Sequence, residues 1–190
     1  DHALSNIETN SFLNEIKLNC LTATGIIDSL MTRDESFLFM KIGKWIERSE
    51  KTALTIRTLL EREQELSSTF AVNYSLLLTN AQEDYSRRHR MRQSADGLQF
   101  LIADFKCTRS VAYGIKKIHQ TLLDLQDGNY ETFTNEMFSA IIEIETLLQI
   151  DSSTFTADER LDWIRKIHEN CLTFGPIFTK THFLTAPILV

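Results

Sequence analysis

The sequence predicts an all-α protein, a bundle of about six to seven helices around one long central helix. Three observations predict it. The 190 residues include only 6 glycines and 2 prolines, and both prolines, Pro176 and Pro187, fall late; hairpins and sandwiches need such residues for their turns. Apolar residues recur at steps of three and four along most of the chain, the spacing that gathers side chains onto one stripe of an α-helix. Two S/T-x-x-E patterns, Thr32 with Glu35 and Thr156 with Glu159, each offer a hydroxyl and a carboxylate to backbone donors left open at a helix start. With 43% hydrophobic residues the chain can bury a full core, so residues 1–190 are expected to form a single helical domain.

Asp1 to Asn10 are polar and predict irregular chain or one loose turn. Phe12, Ile16, Leu18, Cys20, Leu21, Ile26, Ile27 and Leu30 then predict a helix of about 18 residues, weakened in its middle by Thr22, Thr24 and Gly25. The Thr32–Glu35 box opens the central helix near Asp34. Along it Leu38, Ile42, Trp45, Ser49, Ala53, Ile56 and Leu60 form one core stripe. Phe39, Gly43, Ile46, Glu50 and Leu54 lie roughly 100° around from that stripe, while Lys41, Lys44, Arg48 and Lys51 share a third, wet side. No proline interrupts this helix before Ser67, so it can reach about 30 residues, or roughly 45 Å.

After Ser67, the residues Phe70, Val72, Tyr74, Leu77 and Leu78 predict a third helix that turns basic from Gln82 as QEDYSRRHRMRQ. Leu98, Phe100, Leu101, Ile102 and Phe105 predict a short helix, and Thr108, Arg109 and Ser110 a cap for the next, which carries Val111, Ile115, Ile118, Leu122 and Leu125. Asp127-Gly128-Asn129 is expected to close it. Phe133, Met137, Ile141, Ile144, Leu147 and Leu148 form another stripe. After the polar loop DSSTFTA, the Thr156–Glu159 box opens a last helix with Leu161, Ile164, Ile167, Cys171, Phe174 and Phe178, which Gly175-Pro176 should kink or interrupt. The apolar tail Ala186–Val190 is expected to dock on the bundle or to be a cut end.

Composition narrows the function. An excess of 26 acidic over 20 basic residues gives a formal charge of -6, which works against nucleic-acid binding. Cys20, Cys107 and Cys171 are widely spaced and odd in number, giving neither a zinc spacing nor a paired disulfide framework; they suit a cytoplasmic protein as small buried hydrophobes. No apolar run has the length of a membrane span, so no membrane role is expected. The five histidines are scattered and no Glu-x-x-His occurs, so neither a metal site nor a cofactor is expected. Ser110 and Ser49 have no base at a spacing that marks a nucleophile and read as a cap and a small packing residue.

The strings MTRD and IGKWIERSEKTA, with LLLTNAQEDYSRRHR, FLIADFKCTRSVAYGI and the later IHENC, resemble the bacterial alpha-E domain family, a domain of unknown function. The resemblance covers most of the chain. The family's Met-x-Arg opening, Gly-Arg pair and Glu-Arg-Ala triplet are matched by Met31, Arg33, Gly43, Glu47 and Arg48, while Lys44 and Ser49 depart. Its Tyr-x-Arg-Arg and Pro-Arg-Ser are matched by Tyr85, Arg87, Arg88, Arg109 and Ser110, with Thr108 in place of the proline. An earlier Glu-Arg helix of the family has no counterpart, so the chain is expected to be the later two thirds of a longer protein. The resemblance implies a protein partner of ATP-grasp-like or transglutaminase-like type, hence amide-forming or peptide-modifying chemistry.

The residues singled out as a ligand-binding set are Arg33, Glu47, Arg48, Tyr85, Arg87, Arg88 and Arg109. Arginines from separate helices that converge would form an anion pocket, because guanidinium groups hold carboxylate or phosphate through paired donors. The plainer reading makes Arg87 to Arg92 a solvated helix end paired with Glu83 or Asp84. Glu47 lies one turn after Gly43 and one turn before Lys51. It fits either an interior polar network, in a groove that Gly43 leaves open, or a surface Glu–Lys pair worth a few tenths of a kcal/mol. Two functions follow: an accessory, protein-binding helical module, self-association included, or an enzyme in which Glu47 serves as acid or base while arginines hold an anionic substrate. A concave pocket holding Glu47 and at least two of these arginines is expected of the enzyme; saturated salt bridges and an apolar patch elsewhere are expected of the module.

Overall fold

The computed structural model describes residues 2–62, 67–89, 94–125 and 135–183. It is all-α, with eight helices among the described residues, and it divides into two compact units, Asp1–Phe37 and Leu38–Val190.

The first unit holds α1, His2–Leu30. The expectation of irregular chain before residue 10 is corrected: no proline or glycine occurs before Gly25, so nothing stops the helix from starting at His2. Thr24 is accommodated by donating its hydroxyl to the Cys20 carbonyl at 2.9 Å. Within this unit Phe12, Ile16, Leu18, Leu21, Ile26 and Leu30 are exposed, and Cys20, expected as a small buried hydrophobe, is exposed with them.

The second long helix, α2, spans Glu35–Glu61. Its cap is Asp34, whose Oδ1 accepts from Phe37 N–H at 3.2 Å, in place of the expected Thr32–Glu35 box. Ile42, Trp45, Ser49, Ala53, Ile56 and Leu60 are buried, as the stripe predicts. The expected arrangement around one long central helix is not confirmed: α2, with 27 residues, is one of three long helices, beside α1 with 29 and the last helix with 27.

Six further helices complete the second unit: α3 (Ser68–Leu78), α4 (Gln82–Arg88), α5 (Ser94–Ala103), α6 (Val111–Leu125), α7 (Asn135–Leu148) and α8 (Ala157–Phe183). The most extensive helix pairings among the described residues are α7 with α8 and α3 with α5. The basic stretch is a separate helix because Asn80 turns left-handed at φ 57°. Asn80 N–H bonds Leu77 O at 3.0 Å and Ala81 N–H bonds Leu76 O at 2.8 Å, a Schellman ending with asparagine in the glycine place. The Thr156–Glu159 box forms as read: Glu159 accepts from Thr156 N–H at 2.8 Å and Thr156 Oγ1 accepts from Glu159 N–H at 3.3 Å. Pro176 does not interrupt α8, which runs through it to Phe183. Arg90, Arg92, the 127–129 closure, Phe133 and the 186–190 tail lie outside the described residues.

One core cluster fills the second unit, from Ile42 and Ile56 through Leu101, Ile118 and Ile144 to Trp163 and Phe174. Gly114 of α6 sets the approach to α2, since a Cβ there would overlap Ser49 Oγ and come within 3.3 Å of the Trp45 carbonyl. Ser49 is therefore the small packing residue the sequence suggested, buried with its hydroxyl unpartnered.

Candidate anion-binding cleft

α2 carries Lys44, Glu47, Arg48 and Lys51 at helical spacing, so one side of it presents three cations and a carboxylate. That side forms a wall of a cleft of about 380 Å³. Arg109, from the turn between α5 and α6, and Leu78 and Thr79, from the end of α3, complete it. The packing of α2 on α6 at Gly114 brings Arg48 and Arg109 together across 61 positions of sequence.

Arg109 is held from both sides of its backbone. Thr52 Oγ1 of α2 donates to its carbonyl at 3.1 Å. The turn around it is fixed by Ser110, which caps α6 by accepting from Tyr113 N–H at 3.0 Å and donates to the Asp104 carbonyl at 2.6 Å. Asp104 Oδ1 accepts from the N–H groups of Lys106 and Cys107 at 2.7 and 2.8 Å. Arg88 of α4 clamps the same carboxylate, its Nη1 lying 3.2 and 3.0 Å from the two oxygens while Nη2 reaches Asp84 at 3.1 Å.

The electrostatics are unbalanced. Four cations face the single carboxylate of Glu47, and among the described residues none of the four lies within 4.0 Å of an acidic partner. Arg48 is pushed below the ordinary arginine value, first by burial and then by the Arg109 charge, with Tyr113 opposing. Arg48 also lies 4.9 Å from the centre of the Trp45 ring, and Lys44 lies 5.6 Å from it. The hydroxyls of Thr52, Thr55 and Thr79 all donate inward to backbone carbonyls, at 3.1, 2.8 and 2.7 Å. Their protons are committed, so the donors facing a ligand are the ammonium and guanidinium groups.

The sequence-derived set therefore divides. Glu47, Arg48 and Arg109 share the cleft. Arg87 and Arg88 belong to the ion-paired end of α4, with Arg87 2.9 Å from Asp84, as the plainer reading of that stretch held. Tyr85 packs against His89 and Phe100 at ring distances of 4.8 and 5.2 Å. Arg33 lies in the first unit, donating to the Asp28 carbonyl with its guanidinium 4.0 Å over Phe37. Glu47 lines the groove but is exposed rather than interior, and the expected surface pair with Lys51 does not form within 4.0 Å. Nothing within 4 Å would meet a Cβ at the exposed Gly43, so the space there is open without depending on glycine. Lys44, Lys51, Thr52, Thr55 and Thr79 were not proposed as site residues, although the 44, 48, 51 spacing already put three cations on one side of a helix.

These features define an all-helical protein with a positively charged cleft between helices. The chain belongs to the Alpha-E family, described as a predicted alpha-helical domain with a conserved ER motif, whose model matches residues 2–183. Neither a curated protein nor a solved structure is matched by the chain. Glu-Arg occurs at 47–48, 61–62 and 159–160. Glu61 is engaged by Arg57 at 3.0 Å, and Glu159 caps α8 while Arg160 donates to the Phe155 carbonyl at 3.2 Å; only the 47–48 pair lies in the cleft. Among the described residues no helix is long and apolar enough to cross a membrane.

Proposed function

We propose that this Alpha-E chain is an accessory, protein-binding module that receives a carboxylate-bearing segment of its partner between Lys44, Arg48, Lys51 and Arg109. The observation that carries the proposal is the cluster of four cations with no acidic partner within 4.0 Å among the described residues, in a cleft where burial and the Arg109 charge already lower the pKa of Arg48. An incoming carboxylate supplies the missing charge and accepts from both guanidinium groups. Tyr85, Arg87 and Arg88 then support the cleft rather than touch the ligand. The partner is of ATP-grasp-like or transglutaminase-like type and the setting is amide-forming or peptide-modifying chemistry in a bacterial cytoplasm; this part rests on the family resemblance, and three unpaired cysteines agree with the compartment.

Triglutamate peptide, titrated at low salt and followed by tryptophan fluorescence, tests this directly, because Trp45 lies under both Arg48 and Lys44. The wild-type protein should saturate, and Arg48→Ala or Arg109→Ala should each weaken binding about tenfold, the loss expected for a charge-assisted hydrogen bond. Glu47→Gln should bind at least as tightly, since it removes a like charge. Absence of saturation, or arginine variants that bind like wild type, refutes the proposal.

The second reading is an enzyme with Glu47 as acid or base, and it is favoured by the feature expected of it: a concave pocket holds Glu47 with Arg48 and Arg109, and among the described residues these are not locked in the saturated salt bridges expected of the module. It gains if Glu47→Gln abolishes the cellular function while triglutamate binding persists.

A further inference from the structure

α3 carries no charged residue in the sequence STFAVNYSLLL. One face is spent on the core, where Ala71, Val72, Ser75 and Leu76 are buried and Gly97 of α5 lets Val72 and Leu76 approach its backbone. Within the second unit the other face is also apolar yet open: Phe70, Tyr74, Leu77 and Leu78 are 47, 40, 54 and 55% exposed. Their spacing places them on a single stripe about 12 Å long at helical rise. Phe70 and Tyr74 are stacked, with ring centres 5.4 Å apart, and with Leu77 they line a groove of about 350 Å³ that Asn73 and Gln82 border. At its far end the stripe becomes the cleft, because Leu78 and Thr79 are walls of the cavity that holds Arg48 and Arg109. A helix apolar on two sides is a buried element in a finished assembly.

We infer that α3 and the cationic cleft form one continuous docking surface for an amphipathic helical segment of a protein partner. The segment lays apolar side chains spaced i, i+3 or i+4, and i+7 along Phe70, Tyr74 and Leu77, and delivers carboxylates beyond Leu78 to Arg48 and Arg109. The inference rests on the proposed anion-binding role of the cleft and adds the partner's chemistry: acidic at one end, apolar over two turns. Charge complementarity fixes the polarity of the segment, since among the described residues that line the groove and the cleft the cations all lie at the Leu78 end.

The probe is a fluorescein-labelled synthetic helical peptide of about 12 residues, matching the stripe plus one turn, with leucines over two turns followed by three glutamates. Fluorescence anisotropy should show it binding about tenfold more tightly than the same peptide with serines for leucines or lysines for glutamates. Tyr74→Ala and Leu77→Ala, both at exposed positions, should each weaken the peptide about fivefold and leave triglutamate unaffected, while Arg109→Ala weakens both. If triglutamate binds but the leucines add nothing, or the α3 variants change nothing, the docking surface is overturned and the anion cleft stands. If the peptide binds regardless of its charge, the cleft reading falls and takes the joint surface with it. If size-exclusion chromatography shows a dimer that Leu77→Glu dissociates, the stripe is a contact between copies of this chain and the inference is overturned.

Discussion

Arg88→Met removes a charge while keeping the aliphatic stem. In the folded protein the Arg88 guanidinium spans Asp84 and both oxygens of Asp104, and it lies 4.7 Å over the Phe100 ring. Only its Nε is buried without a partner. The Arg88 and Asp104 side chains are 26% and 22% exposed, so the pair is partly shielded from water. A charge-assisted hydrogen bond in such a setting is worth about 1.5–3 kcal/mol; discounting for exposure and for the remaining Lys106 and Cys107 donors to Asp104, the substitution should cost about 2 kcal/mol. For a chain of this length that lowers the melting temperature by roughly 4–8 °C. Urea unfolding of wild type, Arg88→Met, Asp104→Asn and the double variant measures the coupling, expected near 1 kcal/mol or more. Asparagine keeps the acceptor for the two backbone donors, so the cycle isolates the ion pair. A loss under about 0.5 kcal/mol with no coupling would refute the claim that this clamp fixes the turn carrying Arg109.

Other outcomes follow from the same packing. Gly114→Ala should destabilise by about 1 kcal/mol net, because overpacking against Ser49 costs about 1–3 while the helix gains about 1 from alanine. Ser49→Ala should restore it in the double variant, since the displaced hydroxyl has no partner; a double variant no better than Gly114→Ala contradicts the close approach. His168 is buried with its Nδ1 3.2 Å from Arg57 Nη1, so Nδ1 accepts and Nε2 holds the proton without a partner. Burial, and then Arg57, lower its pKa against opposing glutamates. Above about pH 7 the shift has no effect; as pH falls below about 6.5 the unfolded state takes up the proton first and stability drops until the folded histidine titrates. His168→Gln should flatten that part of the stability–pH curve measured by urea unfolding, and an unchanged slope would count against the buried neutral histidine.

Local information carried much of the fold. The α2 stripe, the Thr156–Glu159 box and the Ser110 cap were legible because each is written within a few residues of sequence. The break at Asn80 was written there too, in an asparagine able to turn left-handed, but the apolar run through Leu78 and the polar run after Gln82 read together as one helix. The exposure of α1 could not be read, since periodicity shows that a face is apolar and not that something covers it. At the cleft, Glu47, Arg48 and Arg109 were legible as candidates, yet their union depends on α6 meeting α2 at Gly114, a long-range contact that no local pattern states. The same holds for Arg88, whose grip on Asp104 separates it from the cleft arginines it resembles in sequence.

The central claim is that Arg48 and Arg109 hold an anion in the cleft. The most direct measurement follows the arginine Nε–Hε resonances in an NMR titration with triglutamate at low salt. The account predicts saturable shifts at Arg48 and Arg109 with a shared dissociation constant, abolished at high salt, while the ion-paired Arg88 stays still. Equal small shifts at all arginines, or movement at Arg88 without movement at Arg48 and Arg109, would contradict it.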